Sequence, residues 1–341
     1  MPGSGELVDV AEYPMEALRL LTERRAALRE LGWPSADTPP YPELTAVREG
    51  RFDGALWVGP MDEAIGVVGW TPLGRGGRSA ELFLTKEYRN PTAFQQLLRR
   101  VERSGGPPIL KLELPALGWE PTVVAPSLEP TGFRHFVRHE MRYPGERSAP
   151  PATPPFDGMR TLRAEDAPAT SALLERAYAD FPLDPAYFGL GQGTTGEFDR
   201  EVQEILDGTI GRWRPEASFG VERDGRLVGV TMMNDLHGSL ISEVAVDPAH
   251  RGRGLARSLI GATIRAIRAQ GAPDPRLVVT AVNARARALY LSLGFEPVPF
   301  PEENIWVNFR RDGRPELETL LPTLSEGRVD ATSVSDPSRG L

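Results

Sequence analysis

The sequence predicts an α/β (α+β) protein made of two similarly ordered segments. Three observations predict it. Short apolar runs alternate with amphipathic helical stretches. The same order of elements occurs twice. A proline-dense stretch, Pro144 to Gly158 (PGERSAPPATPPFDG), separates the two occurrences. Proline at this density lacks backbone donors and stays extended, so the stretch reads as a stiff interdomain linker. The expected organisation is a first domain over residues 1–144, a linker over 145–158, a second domain over 159–311 and a mostly disordered tail over 312–341. The tail is polar and proline-containing, with one short helix expected near Glu316 to Leu321.

In the first segment Leu7–Val10 reads as a strand and Met15–Leu31 as a helix stopped by Gly32. Strands Ala55–Val58 and Ile65–Trp70 surround a turn, and Glu81–Leu84 runs into a helix over Ala93–Val101. Strands Ile109–Leu114 and Phe133–Met141 close the segment, with a proline-broken stretch, Pro115–Glu129, between them. In the second segment a short strand, Met159–Arg163, precedes a helix capped by Asp166, with Leu173, Leu174, Ala177 and Tyr178 as its apolar residues. A loop rich in glycine, proline and aromatics follows, Phe181 to Thr195. Strands Ser218–Glu222 and Leu227–Met233 flank Asp224-Gly225, a strong hairpin signal. Strand Leu240–Val246 leads through a glycine-rich turn into a helix with Leu255, Leu259, Ile260, Ile264 and Ile267 on one face. Strand Leu277–Val282, helix Ala284–Leu293 with Gly294 after it, and strand Ile305–Phe309 complete the segment.

At 341 residues the chain is long enough for two domains with sizeable cores. No run approaches 18 apolar residues, so no membrane partner is expected. The N-terminus, MPGSGELVDV, lacks a basic stretch followed by an apolar core, so no secretory signal is expected either. There are no cysteines, which excludes disulfides, thiolate metal sites and cysteine nucleophiles and suits a cytoplasmic location. The formal net charge is -8, which makes nucleic acid an unexpected partner, because duplex affinity rests on cations neutralising phosphates. His135, His139, His237 and His250 have no carboxylates at metal-ligand spacing, so no metal site is expected.

The chemistry concentrates in Val244-Ala-Val-Asp-Pro-Ala-His-Arg251-Gly252-Arg253-Gly254-Leu255-Ala256. An apolar strand feeds a turn with two glycines that becomes the first turn of a helix. Free N–H groups there point outward, the helix dipole adds positive potential, and glycine lets an anion approach closely. Arg251, Arg253 and Arg257 add charge that phosphates can pair with. These residues suit a pyrophosphate cradle; an ordinary glycine turn with solvated arginines has the same local sequence.

A second stretch, past the next strand, carries Asn283, Ala286, Leu289, Tyr290, Leu293, Gly294 and Phe295. Together the two stretches resemble the GNAT superfamily of acyl-CoA-dependent N-acetyltransferases. The first matches its R/Q-x-x-G-x-G/A signature at Arg251, Gly254 and Ala256, and the second its N-x-x-A-x-x-L-Y-x-x-L-G-F pattern. The resemblance spans about Met159 to Arg311 and implies a mixed, mostly antiparallel twisted sheet flanked by helices. It also implies acetyl-CoA as co-substrate. Backbone groups of Val244, Ala245 and Val246 would pair with the pantetheine arm, and the amides from Arg251 through Gly252, Arg253, Gly254 and Leu255 to Ala256 would hold the pyrophosphate. Asn283 would contact the cofactor arm, and Tyr290 would protonate the departing thiolate. A phenol near pKa ~10 is a reasonable donor to a thiolate of similar basicity. Core packing by an aromatic on a helix is the alternative for Tyr290.

A general base must take a proton from an ammonium acceptor, and Glu243 is the candidate. Strand alternation turns Glu243 away from the side that Ser242 and Val244 face, unless a bulge restores it. Positions 240 and 278, where some family members carry a carboxylate, hold Leu240 and Val278. The first segment's counterpart of the cradle, Glu87 to Phe94, has no glycine, and Pro91 removes an amide. It therefore resembles a GNAT-like copy without acyl-CoA binding, in a tandem arrangement. The expected activity is acetyl transfer to the primary amine of a small molecule by direct attack in a ternary complex. A protein or peptide amino group, or a non-catalytic acyl-CoA module, are the rival readings. No acceptor motif is legible; Asp184, Tyr187 and Phe188 of the Phe181–Thr195 loop are the candidate contacts.

Overall fold

A computed structural model of the chain describes residues 6–30, 42–59, 61–73, 76–114, 119, 121–144, 156–179, 197–209, 211–236, 238–298 and 303–311. The linker core at 145–155, the expected acceptor loop at 181–195 and the tail beyond 311 lie outside the described residues.

The first half runs β1 (Glu6–Asp9), α1 (Pro14–Glu30), α2 (Pro42–Arg48), β2 (Gly54–Val58), β3 (Ala64–Leu73), β4 (Gly77–Leu84), α3 (Pro91–Arg103), β5 (Ile109–Leu114), α4 (Pro121–Leu128) and β6 (Phe133–Arg142). The second runs β7 (Met159–Thr161), α5 (Ala167–Tyr178), α6 (Glu197–Leu206), β8 (Arg212–Trp213), β9 (Phe219–Arg223), β10 (Arg226–Asp235), β11 (Ser239–Val246), α7 (Leu255–Ala269), β12 (Arg276–Thr280), α8 (Ala284–Leu293), β13 (Glu296–Pro297) and β14 (Glu303–Asn308). The β9–β10 hairpin turns on Asp224 and Gly225, both at positive φ (50° and 72°), as the Asp-Gly pair requires.

Three helices depart from the sequence reading. The proline-broken stretch contains the helix α4, with Pro126 inside it. Val124 and Leu128 of this helix are fully buried beside Trp119 and Phe94, and that packing overrides the lost backbone bond. The helices α2 and α6 were not expected. For α6 the missed signal is Phe198, Val202 and Ile205, spaced i, i+4, i+7 and buried against α5.

Among the described residues the strands form one continuous sheet, ordered β1-β2-β3-β4-β5-β14-β6-β12-β11-β10-β9-β7. The closing strands of the two halves are exchanged. Strand β14 of the second half lies between β5 and β6 of the first, pairing Ile305 with Glu113 on one side and with Phe136 on the other. Strand β6 in turn pairs antiparallel with β12, from Arg276 opposite Arg142 to Thr280 opposite Arg138. All but two of the ladders, β4–β5 and β11–β12, are antiparallel.

In the second half α5 and α6 cover one face of the sheet, on Val230, Met232 and Ala245. The opposite face packs Met233, Ile241, Leu277 and Val279 against α7 and α8. Directly opposed strand residues share a face. Val279 and Leu277 oppose His139 and Met141, so Arg138 and Glu140 of β6 belong to the α5–α6 face.

Candidate functional site

The two parallel contacts in the sheet differ. In the first half β4 and β5 stay zipped over four pairs, from Arg78–Ile109 to Glu81–Glu113. In the second half β11 and β12 meet at a single pair, Leu240–Arg276, and then diverge. The other edge of β11 pairs with β10 as far as Val246. A gap therefore opens through the sheet beside Val244, Ala245 and Val246. An edge of this kind pairs readily with an extended amide-bearing chain.

At the head of the gap β11 passes into Asp247–His250, whose Asp247 carboxylate accepts from Ala249 N at 3.0 Å. Arg176 on α5 anchors the same carboxylate at 2.8 Å, and this bond holds the Asp247 carboxyl below its ordinary value. Gly252 and Gly254 follow at φ 77° and 83°, a conformation that L side chains rarely adopt. A Cβ built on either meets nothing within 4 Å, so the space before them is open. Gly254 is the N-cap of α7, and no side chain caps this helix. The first-turn amides of Leu255, Ala256 and Arg257 thus face an open approach at the positive end of the helix dipole. These residues fit a pyrophosphate. In the first half the corresponding helix end is closed. Asn90 caps α3 by accepting from Ala93 N at 3.0 Å, Pro91 follows, and Arg89 donates to Leu84 O at 2.7 Å.

The three arginines of this turn and helix start have different surroundings. The Arg251 guanidinium donates to the carbonyls of Val246 (3.2 Å) and Ala177 (2.6 Å), so the side chain ties the turn to α5. Arg257 reaches Ser292 on α8 through its carbonyl (3.3 Å) and hydroxyl (2.5 Å). Arg253 is exposed, and no hydrogen bond or ion pair joins it to another described residue. Asn283 is the N-cap of α8, its side-chain oxygen accepting from Ala286 N at 3.1 Å.

Tyr290 sits in the last turn of α8, 8% exposed, on the α7–α8 side of the sheet. It belongs to the buried cluster that holds Leu277 and Ile241, and its ring meets Phe295 at 5.9 Å between centroids. Glu243 lies on the other side. The β10–β11 register shifts between Met232 and Met233, which oppose Glu243 and Ile241, leaving Ser242 as an extra residue. This is a β-bulge. It puts Ile241 and Val244 toward the α7–α8 face and Glu243 with Ala245 toward α5 and α6. Glu243 is 4% exposed and accepts the Tyr178 hydroxyl at 3.0 Å. Tyr290 and Glu243 therefore occupy opposite faces of the sheet, one on each side of β11.

A residue that the sequence reading missed adjoins Glu243. Glu201 of α6 comes up to it, and its carboxyl is pushed well above the ordinary value, by burial first and by the Glu243 charge second. The legible signal was its position three residues after Phe198 and one before Val202, on the inward stripe of an amphipathic helix. His250 stands 3.7 Å from Asp247, and His135 stacks on Trp306 at 4.7 Å. No group of three or more potential metal ligands occurs among the described residues.

Residues 181–295 match the family described as Acetyltransferase (GNAT) family. The mycothiol acetyltransferase of Acidothermus cellulolyticus is 32% identical over 238 residues, 64% of this chain and 68% of the relative. That of Streptosporangium roseum is 31% identical over 260 residues, 64% of this chain and 74% of the relative. Two solved structures share the fold at 19% identity. The GCN5-related N-acetyltransferase from Sphaerobacter thermophilus has a TM-score of 0.59, covering 88% of this chain and 94% of that one. A tandem GNAT protein from the clavulanic acid biosynthesis pathway has a TM-score of 0.57, covering 89% and 98%.

Proposed function

Since this chain belongs to the GNAT family of acetyltransferases, we propose that it transfers acetyl from acetyl-CoA to the primary amine of a small molecule, by direct attack in a ternary complex. The observation that carries this reading is the gap between β11 and β12, with an open, uncapped helix end at its head and Tyr290 and Glu243 on its two sides.

Acetyl-CoA supplies the activated acyl carbon. The amides at the start of α7, with Arg253, would hold its pyrophosphate. The outer edge of β11 at Val244–Val246 would orient the pantetheine arm by strand-like pairing, and Asn283 would border it from the start of α8. Glu243 would take the proton from the acceptor ammonium on the α5–α6 side. Tyr290 would give a proton to the departing thiolate from the opposite side. An acid and a base separated by the sheet can act on two ends of one acyl transfer without neutralising each other.

The first half is proposed as a GNAT-like copy that has lost acyl-CoA binding, since its helix end is capped and its β4–β5 contact has no gap. Its β6 brings Arg138 to the α5–α6 face, so this half would help wall the acceptor side. The named relatives make mycothiol acetylation the specific candidate reaction. The test is CoA release by the full chain with acetyl-CoA and a panel of primary amines that includes the acetyl-free form of mycothiol. Amine-dependent CoA release with one N-acetyl product per CoA is expected. Release with peptides alone would move the acceptor to a protein amino group.

A further inference from the structure

Phe198 and Val202 of α6 are buried in one cluster with Met232, which opposes Glu243, and with Ala245, so that Glu201 between them comes up to Glu243. The Oε2 atom of Glu201 is shut off from solvent and receives no N–H or O–H from the protein. Two ionised carboxylates offer each other no donor, and like charges side by side repel. One proton held between the two groups removes both problems. Among the described residues, charged and titratable groups of α5, α6 and β6 face the pair. The Tyr178 hydroxyl donates to Glu243 from α5, Glu204 adds negative charge from α6 itself, and Arg138 adds positive charge from β6. The surroundings thus favour a shared proton and keep it beside the candidate base.

We propose that Glu201 is a positioning residue for acyl transfer: it pairs with Glu243 so that the two carboxyls act as one base stronger than a lone glutamate. This rests on the acetyltransfer reading of the site. A lone glutamate, near pKa ~4.3, is a weak acceptor for a proton from an ammonium. In the pair, the doubly ionised form regains its first proton at higher pH, because that proton relieves the repulsion. The proton leaves the acceptor nitrogen and ends between Glu243 and Glu201. The nitrogen lone pair then attacks the acyl carbon, the C–N bond forms, and the C–S bond breaks to a thiolate that Tyr290 protonates; the nitrogen gives its second proton to solvent, from which the Tyr290 phenolate is reprotonated.

The test compares the full-length protein with its Glu201→Gln and Glu201→Asp variants. With an amine that the wild type acetylates, kcat/KM is expected to rise with pH along a limb set by the pair. Glu201→Gln leaves Glu243 without its like-charged neighbour, so the limb should move to lower pH by a unit or more. Plateau kcat should fall about 10- to 100-fold, the scale of a general-base contribution. Affinity for acetyl-CoA should stay within about two-fold, and Glu201→Asp should return the limb toward its original position. A limb that does not move in Glu201→Gln overturns the proposal. A second measurement needs no activity. The raised Glu201 value means that ionising the pair weakens the fold as pH rises, so wild-type Tm should decline over that range more steeply than Glu201→Gln. Equal slopes overturn the shared proton even if acetyl transfer is confirmed. Absence of any amine-dependent CoA release would instead overturn the acetyltransfer reading and, with it, the catalytic use of the pair.

Discussion

The Tyr290 ring is buried among Leu277, Ile241 and Phe295, while its hydroxyl is the group proposed to meet the thiolate. Tyr290→Phe keeps the packing and removes only the proton. It is expected to lower kcat by about 10²-fold, with little change in acetyl-CoA affinity or Tm. Steady-state kinetics beside calorimetry checks this; an unchanged kcat would leave Tyr290 as a core aromatic. Asp247 is a different case, because its carboxylate joins the cradle turn to Arg176 of α5. The bond to Arg176 depresses its folded-state value, so its stabilisation is present above the ordinary aspartate range and lost as pH falls through the depressed value. Asp247→Asn keeps an acceptor for Ala249 N and removes the charge. Its stability near neutral pH should fall by about 1–2 kcal/mol, a charged hydrogen bond's worth. Thermal unfolding from pH 7 down to pH ~3 should show the two proteins converging at the acid end.

Two helices of similar position end differently. The start of α7 has two left-handed glycines and no side-chain cap, whereas the start of α3 is closed by Asn90 and Pro91. One acetyl-CoA per chain is therefore expected in a calorimetric titration, and two equal sites would contradict the reading of the first half. Gly254→Asp places a side chain at φ 83° and a negative charge where phosphate would sit. Binding should be abolished in the same titration, while the far-ultraviolet circular dichroism stays close to wild type. The strands beside these helices reinforce the difference. The four-pair contact of β4 with β5 leaves no room for an acyl chain, and the single-pair contact of β11 with β12 does.

Across the molecule the exchanged strands β6 and β14 join both halves into one sheet. Trp306 of β14 is fully buried in the core of the first half, beside Leu112 and Phe133. Met141 and Tyr143, from the end of the first half, are buried in the core of the second with Leu277 and Phe295. A fragment beginning near Gly158 would lose β6, bare the edges of β12 and β14 and expose Trp306. It should aggregate or fail to give a native circular-dichroism spectrum, and the full chain should unfold in one transition. A soluble, folded fragment that binds acetyl-CoA would refute this and make the halves independent. No described helix is long and apolar enough to cross a membrane.

What is local in sequence was legible in sequence. The Asp-Gly hairpin, the glycine turn into α7 and the Asn283-to-Phe295 pattern depend on φ preferences, capping and short-range periodicity, and each lies where the sequence put it. Other features depend on contacts between distant segments. The α4 helix keeps Pro126 because the core behind it favours burial of Val124 and Leu128. Arg251, legible as a phosphate ligand, turns back to the carbonyls of Val246 and Ala177, because α5 brings those acceptors within reach. Glu201 became visible beside Glu243 once α6 folded over β11, and the bulge at Ser242 chose the face that Glu243 takes. The sequence by itself determined the family, the glycine turn into α7 and the helix that carries Tyr290, because motifs record local backbone geometry. The tertiary structure alone decided the exchange of β6 and β14, the gap beside β11 and the carboxyl that neighbours Glu243, because strand pairing and charge proximity are set between residues far apart in the chain.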